Sequence, residues 1–133
     1  MKIFIDTNIF LDLLLEREGY EDALVILNAV EKNLFDGLVL DITLLNIDYV
    51  ARKQIKNIQD FLQLVNGVFE VVGADNAKFT KALHLNNSDL EDNLQYICAK
   101  ENEVFCIISN DKSFIKADIE VYSSGDFVKR YIA

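Results

Sequence analysis

The chain has 133 residues, 51% hydrophobic and 26% charged, with no proline, two cysteines and a net charge of -9. That length gives room for one core, so a single domain over residues 1–133 is expected. The acidic balance excludes tight non-specific binding to a polyanion, because backbone affinity for phosphate comes mainly from Lys and Arg, and any role on nucleic acid must be local or metal-assisted.

Taken in chain order, KIFID (2–6) reads as a strand that stops at Asp6, and Thr7 and Asn8 follow where the strand turns into a helix. Apolar residues at three- and four-residue spacing predict helices over 20–33, 42–54, 57–65, 76–85 and 89–102. Short runs rich in Val, Ile and Phe predict further strands at GLVLD (37–41), FEVVG (69–73), EVFCIIS (103–109) and IEVYS (119–123). Strands that are apolar throughout and alternate with helices point to an α/β fold: a three-layer α/β/α sandwich around a parallel sheet of four or five strands. No stretch reaches the roughly 20 apolar residues of a membrane span. Asp6 and Asp12 interrupt the first apolar run, so no signal peptide is expected. Cys98 and Cys106 stand in apolar patterns without basic neighbours, which suits unreactive thiols in a reduced, cytoplasmic protein.

In a parallel sheet the functional crevice lies at the carboxyl ends of the strands. Asp6 ends the first strand, Asp41 the second, and Ser109, Asn110 and Asp111 follow the fourth. Asp89 and Asp92 open the helix that feeds the fourth strand, so they start at the same edge. Ser88 and Glu91 fit an S-x-x-E capping box, which puts Asp89 and Asp92 in the first turn on one face. Helix capping alone would account for both acids. The arrival of Asp6 and Asp111 from distant positions favours a site, since clustered carboxylates repel unless a cation neutralises them. Carboxylates and Asn oxygens, with no His or Cys cluster, suit Mg²⁺ or Mn²⁺ rather than zinc. In that reading Asp6 is a metal ligand, Asn8 orients a ligand or water, and Thr7 holds the turn or contacts phosphate.

FIDTNIFLDLL resembles the opening of a PIN domain, DLEDNLQYICA its third acidic block, and IISNDKSF its final T-N-D-x-x-F block with Ser109 in place of Thr. The resemblance runs in order from Met1 to about Phe127. It implies a compact α/β/α ribonuclease dependent on Mg²⁺ or Mn²⁺ and, for a stand-alone chain of this size, the toxin half of a VapBC-type toxin-antitoxin pair. RNA substrate, an antitoxin protein and a homodimer follow from the same resemblance, the last through the apolar surplus at Phe10-Leu11 and Leu13-Leu14-Leu15. Position by position it places the catalytic acids at Asp6, Asp92 and Asp111, with Asp89 as an additional carboxylate and Ser109 and Asn110 supporting. The second acid of the family, a Glu in the helix after the second strand, falls on Asn46. Asp48 lies about 200° around that helix and does not replace it.

Lys112 adjoins Asp111 and is the candidate RNA contact, whereas Arg52, Lys53 and Lys56 read as a solvated helix face. His84 has no partner in its motif and is assigned no role. Two other functions compete. A degenerate PIN module would bind RNA or protein without cutting, a reading that Asn46 keeps open. A haloacid-dehalogenase-like phosphatase would use Asp6 as nucleophile, but that family expects a second Asp where this chain has Asn8.

Overall fold

The computed structural model describes residues 1–133. Five strands, β1 (Lys2–Ile5), β2 (Asp36–Leu40), β3 (Glu70–Val72), β4 (Cys106–Ile108) and β5 (Glu120–Tyr122), pair in parallel in the order β3-β2-β1-β4-β5. Seven helices connect and follow them: α1 (Thr7–Leu14), α2 (Tyr20–Glu31), α3 (Asp41–Ala51), α4 (Ile58–Val68), α5 (Asn76–Leu83), α6 (Leu90–Glu101) and α7 (Ser124–Tyr131).

The uniformly apolar strands follow from burial on both faces. Ile3, Ile5, Val39, Cys106 and Ile108 point into one core, which α1, α2, α3, α4 and α7 complete with residues such as Phe10, Ile26, Ile47, Val65 and Phe127. Phe4, Leu38, Leu40 and Ile107 point into the other, beneath Ala82 of α5 and Leu94, Ile97 and Cys98 of α6. The alternation of neighbouring residues between two cores makes the three layers. At Gly37 the sheet leaves no space for a side chain: a Cβ there would lie 2.5 Å from the ring of Phe69.

The outer elements depart from the sequence reading at two places. The fourth strand was expected over 103–109 but covers only Cys106–Ile108, because α6 ends through Glu103 in a left-handed conformation (φ 54°) and the chain reaches the sheet only after that turn. The terminal helix α7 was not expected. It buries little beyond Phe127, whose fully enclosed ring meets Phe35 and Tyr131 at centroid distances of 5.2 and 5.1 Å. Phe127, contributing on the order of 2–3 kcal/mol, with Val128 and Tyr131 packed beside it and a Ser123 side chain accepting from the Asp126 amide, holds α7 against the core.

Chain order reverses at β1, which has β2 on one side and β4 on the other. The carboxyl ends of β1 and β4 therefore flank the switch point, and Asp6 and Ser109 to Asp111 stand there.

Candidate metal centre

A crevice of about 330 Å³ opens at this edge, lined by Asp6, Thr7, Asn8, Asn46, Asp89, Glu91, Asp92 and Asp111, with Leu11 and Val50 as apolar wall. A larger hollow of about 590 Å³ at Tyr122, Asp126, Lys129 and Arg130 offers a single carboxylate, so it is the acidic crevice that gathers carboxylates.

Asp6 sits directly beyond β1, its amide donating to the Ile108 carbonyl of β4 at 3.0 Å, so the sheet fixes its backbone. Its carboxylate is 2% exposed and accepts from Gln95 Nε2 at 2.9 Å and Ser109 Oγ at 2.7 Å. Burial raises its pKa, and those two hydrogen bonds oppose the rise. Gln95 is itself fully buried and accepts from the Thr7 amide at 3.3 Å, so it joins α6 to the start of α1. The sequence reading missed Gln95. Its signal was a polar side chain inside the apolar run of a buried helix, where it must find partners.

The tightest grouping is Asp89, Asp92 and Asp111, whose oxygens lie within 4.8 Å of one another. Asp89, not Ser88, caps α6: its Oδ1 accepts from the Asp92 amide at 3.0 Å. The capping box is therefore a misreading by one residue. A carboxylate suits the positive end of the helix better than a hydroxyl, and Glu91 is left free to reach elsewhere. Asp111 Oδ1 accepts from the Ser113 amide at 2.9 Å and hydroxyl at 2.7 Å, which hold its pKa below the usual range. Asp92 is 6% exposed and its Oδ2 has no hydrogen-bond partner. Burial first, then the charges of Asp6, Asp89, Asp111 and Glu91, push its pKa up to about 7.

This donor set fits a hard divalent cation. An orphaned buried carboxylate oxygen beside two further carboxylates is costly until a positive charge meets it. Oxygen ligands favour Mg²⁺ or Mn²⁺, and the soft donors lie elsewhere: Cys98 and Cys106 are fully buried, with thiols pushed up to about 11 and about 12 by burial. Asp89, Asp92 and Asp111 would hold the ion. Asp6 lines the same crevice with each oxygen already receiving one hydrogen bond.

The remaining expected residues divide. Ser109 is buried beneath the site, donating to Asp6 and accepting from the Asp111 amide at 3.1 Å. Asn8 lies exposed on the rim. Thr7 spends its hydroxyl on Glu91 at 2.7 Å and Thr43 at 2.8 Å, which makes it a tie between helices rather than a free phosphate contact. Asn46 does face the crevice, while Asp48 pairs with Arg52 at 2.9 Å outside it. Asn110 supports the fold from elsewhere: it donates to Asp12 at 3.1 Å and accepts from the Ser124 amide at 2.9 Å, bracing α1 against α7. Asp41 is likewise used locally, accepting from the amides of Ile42 and Ala74. Lys112 and Lys116 line an adjoining cleft of about 310 Å³ that shares Asp111 with the acidic crevice. His84 is exposed at the end of α5, with Nδ1 2.7 Å from the Thr80 carbonyl.

Known proteins resemble this chain in sequence and in fold. A family model described as "PIN domain" matches residues 2–113. The chain is similar to Ribonuclease VapC1 of Aquifex aeolicus (strain VF5), 33% identical over 138 aligned positions that cover 98% of this chain and 95% of that protein. Its fold is similar to that of a toxin-antitoxin complex from Klebsiella pneumoniae, with TM-score 0.70 and 17% identity over 92% of this chain and 97% of the other. VapBC2 from Rickettsia felis, bound to a DNA fragment from their promoter, gives TM-score 0.69 and 16% identity over 92% and 98% of the two chains.

Proposed function

The chain belongs to the PIN-domain family, and on that premise we propose that it is an endoribonuclease dependent on Mg²⁺ or Mn²⁺, the toxin component of a toxin-antitoxin pair. The observation that carries the metal dependence is Asp92 Oδ2, buried without a partner beside Asp89 and Asp111. When bound, the ion supplies positive charge opposite a scissile phosphate and lowers the pKa of nearby water. The protein's own part is placement. Ser113 keeps Asp111 ionised, the Asp92 amide fixes Asp89, and Gln95 with Ser109 fix the rotamer of Asp6. Leu11 and Val50 give the crevice one apolar wall. Lys112, with Lys116, would meet the RNA backbone beside Asp111, the local positive charge that a chain of net charge -9 requires.

An antitoxin protein and a homodimer belong to the same proposal. The two similar folds are described as toxin-antitoxin assemblies, and apolar side chains stand exposed on α2 (Leu24, Val25) and α3 (Leu45, Tyr49). The early-helix surplus is mostly core: Phe10 and Leu11 are buried, and Leu13 and Leu14 pack against them. No helix is long and apolar enough to cross a membrane, and a cytoplasmic location is proposed with the RNA substrate.

The test is cleavage of a fluorescent RNA panel with Mn²⁺. Cleavage is expected for wild type and lost with chelator and in Asp111→Asn. Cleavage that survives both would reject the proposal. Asn46 favours a second reading, binding without cutting, which metal and RNA binding without turnover would establish.

A further inference from the structure

We propose that Glu91 is part of the metal centre, supplying from α6 the negative charge that α3 lacks at Asn46. The inference rests on the metal-dependent reading above. Both side chains line the acidic crevice, and Asn46 offers it an oxygen without a charge.

Glu91 is held in place by a buried relay. A carboxylate only accepts hydrogen bonds, so the 2.7 Å contact to Glu91 Oε2 uses the single hydroxyl proton of Thr7. The 2.8 Å contact between Thr7 and Thr43 then runs with Thr43 as donor. Thr43 is fully buried on α3 and Thr7 is 4% exposed at the start of α1. Orientation thus passes from α3 through α1 to a carboxylate on α6 that lines the crevice.

A favourable site for an acid near a helix N-terminus would by itself explain a Glu in the first turn. It would not explain an anchor of buried hydroxyls from two other helices. The need for a cation is set independently by Asp92, 6% exposed, with its Oδ2 unpartnered beside Glu91 in the chain.

The experiment is Mn²⁺ titration by calorimetry, with electron paramagnetic resonance of free Mn²⁺ as a second readout, in the absence of RNA. Wild type, Glu91→Gln, Asn46→Glu and the double variant are compared, with melting temperatures in chelator as a folding check. Glu91→Gln keeps the size and the acceptor for Thr7 but removes the charge, and it should weaken Mn²⁺ binding roughly 10-fold or more. Asn46→Glu should tighten binding, and in the Glu91→Gln background it should restore affinity to about the wild-type value. Unchanged affinity in Glu91→Gln overturns the inference alone. Weaker binding with a lowered melting temperature and no rescue by Asn46→Glu makes Glu91 structural and also overturns it. Absence of Mn²⁺ binding by wild type overturns both this inference and the proposed function.

Discussion

Replacing Asp92 by Asn should stabilise the metal-free protein, and most at alkaline pH. In the folded chain Asp92 holds its proton up to about 7, whereas the unfolded chain releases it near 3.9. Between those values the native state binds more protons, so its stability falls as pH rises through that window. Three pKa units at 1.36 kcal/mol each set a ceiling of about 4 kcal/mol, and relaxation of the crevice brings the expected gain to roughly 1–3 kcal/mol. For 133 residues the unfolding entropy is about 0.28 kcal/mol/K, so melting should rise by roughly 4–10 °C at pH 8. Calorimetric melting in chelator at pH 5, 6, 7 and 8 reads the effect directly. The gap between the two proteins should be smallest at pH 5 and close only below about pH 4, near the unfolded-state pKa, and the variant should show the flatter profile, with a residual slope from Asp6. Parallel profiles, or a variant less stable than wild type at pH 8, would refute the strained-carboxylate account. Saturating Mn²⁺ should reverse the order, because only wild type gains its full binding free energy.

Gln95→Leu should cost about 1–3 kcal/mol by orphaning Asp6 Oδ1 and the Thr7 amide, measured by denaturant titration, and should lower RNA cleavage more than it lowers Mn²⁺ affinity. Gly37→Ala should destabilise by roughly 1–3 kcal/mol with unchanged metal affinity, because the added methyl collides with Phe69 far from the crevice. The double variant Lys112→Ala, Lys116→Ala should weaken RNA binding and reduce the salt dependence of that binding by a log-log slope of about 1–1.5, while leaving Mn²⁺ titration unchanged. An unchanged salt slope would remove the basic cleft from the RNA path.

The sheet was readable because its central strands are buried on both faces: Ile3, Phe4 and Ile5, or Cys106, Ile107 and Ile108, admit nothing polar. Asp6, Asp92 and Asp111 were readable for a related reason, since each marks the place where a strand ends or a helix begins at one edge. Choices settled across the fold were not readable locally. Ser88 and Asp89 both offer a cap for α6, and Thr7, far away in sequence, holds Glu91 where a capping box would have used it. Asn110 sits inside a motif-like segment, yet its partners Asp12 and Ser124 make it a brace between helices. The helix around Phe127 does carry a helical stripe, Ser124, Phe127, Val128 and Tyr131, but it spans only two turns between polar residues, too short to stand out in the sequence.

The most direct test of the metal centre is anomalous diffraction from crystals soaked in Mn²⁺. The account predicts a peak in the crevice within roughly 2.5 Å of Asp92 Oδ2, with Asp89 and Asp111 as neighbouring ligands, and no such peak in Asp92→Asn crystals soaked identically. A peak confined to another surface, or an empty crevice in wild type with Asp92 still unpartnered, would contradict it.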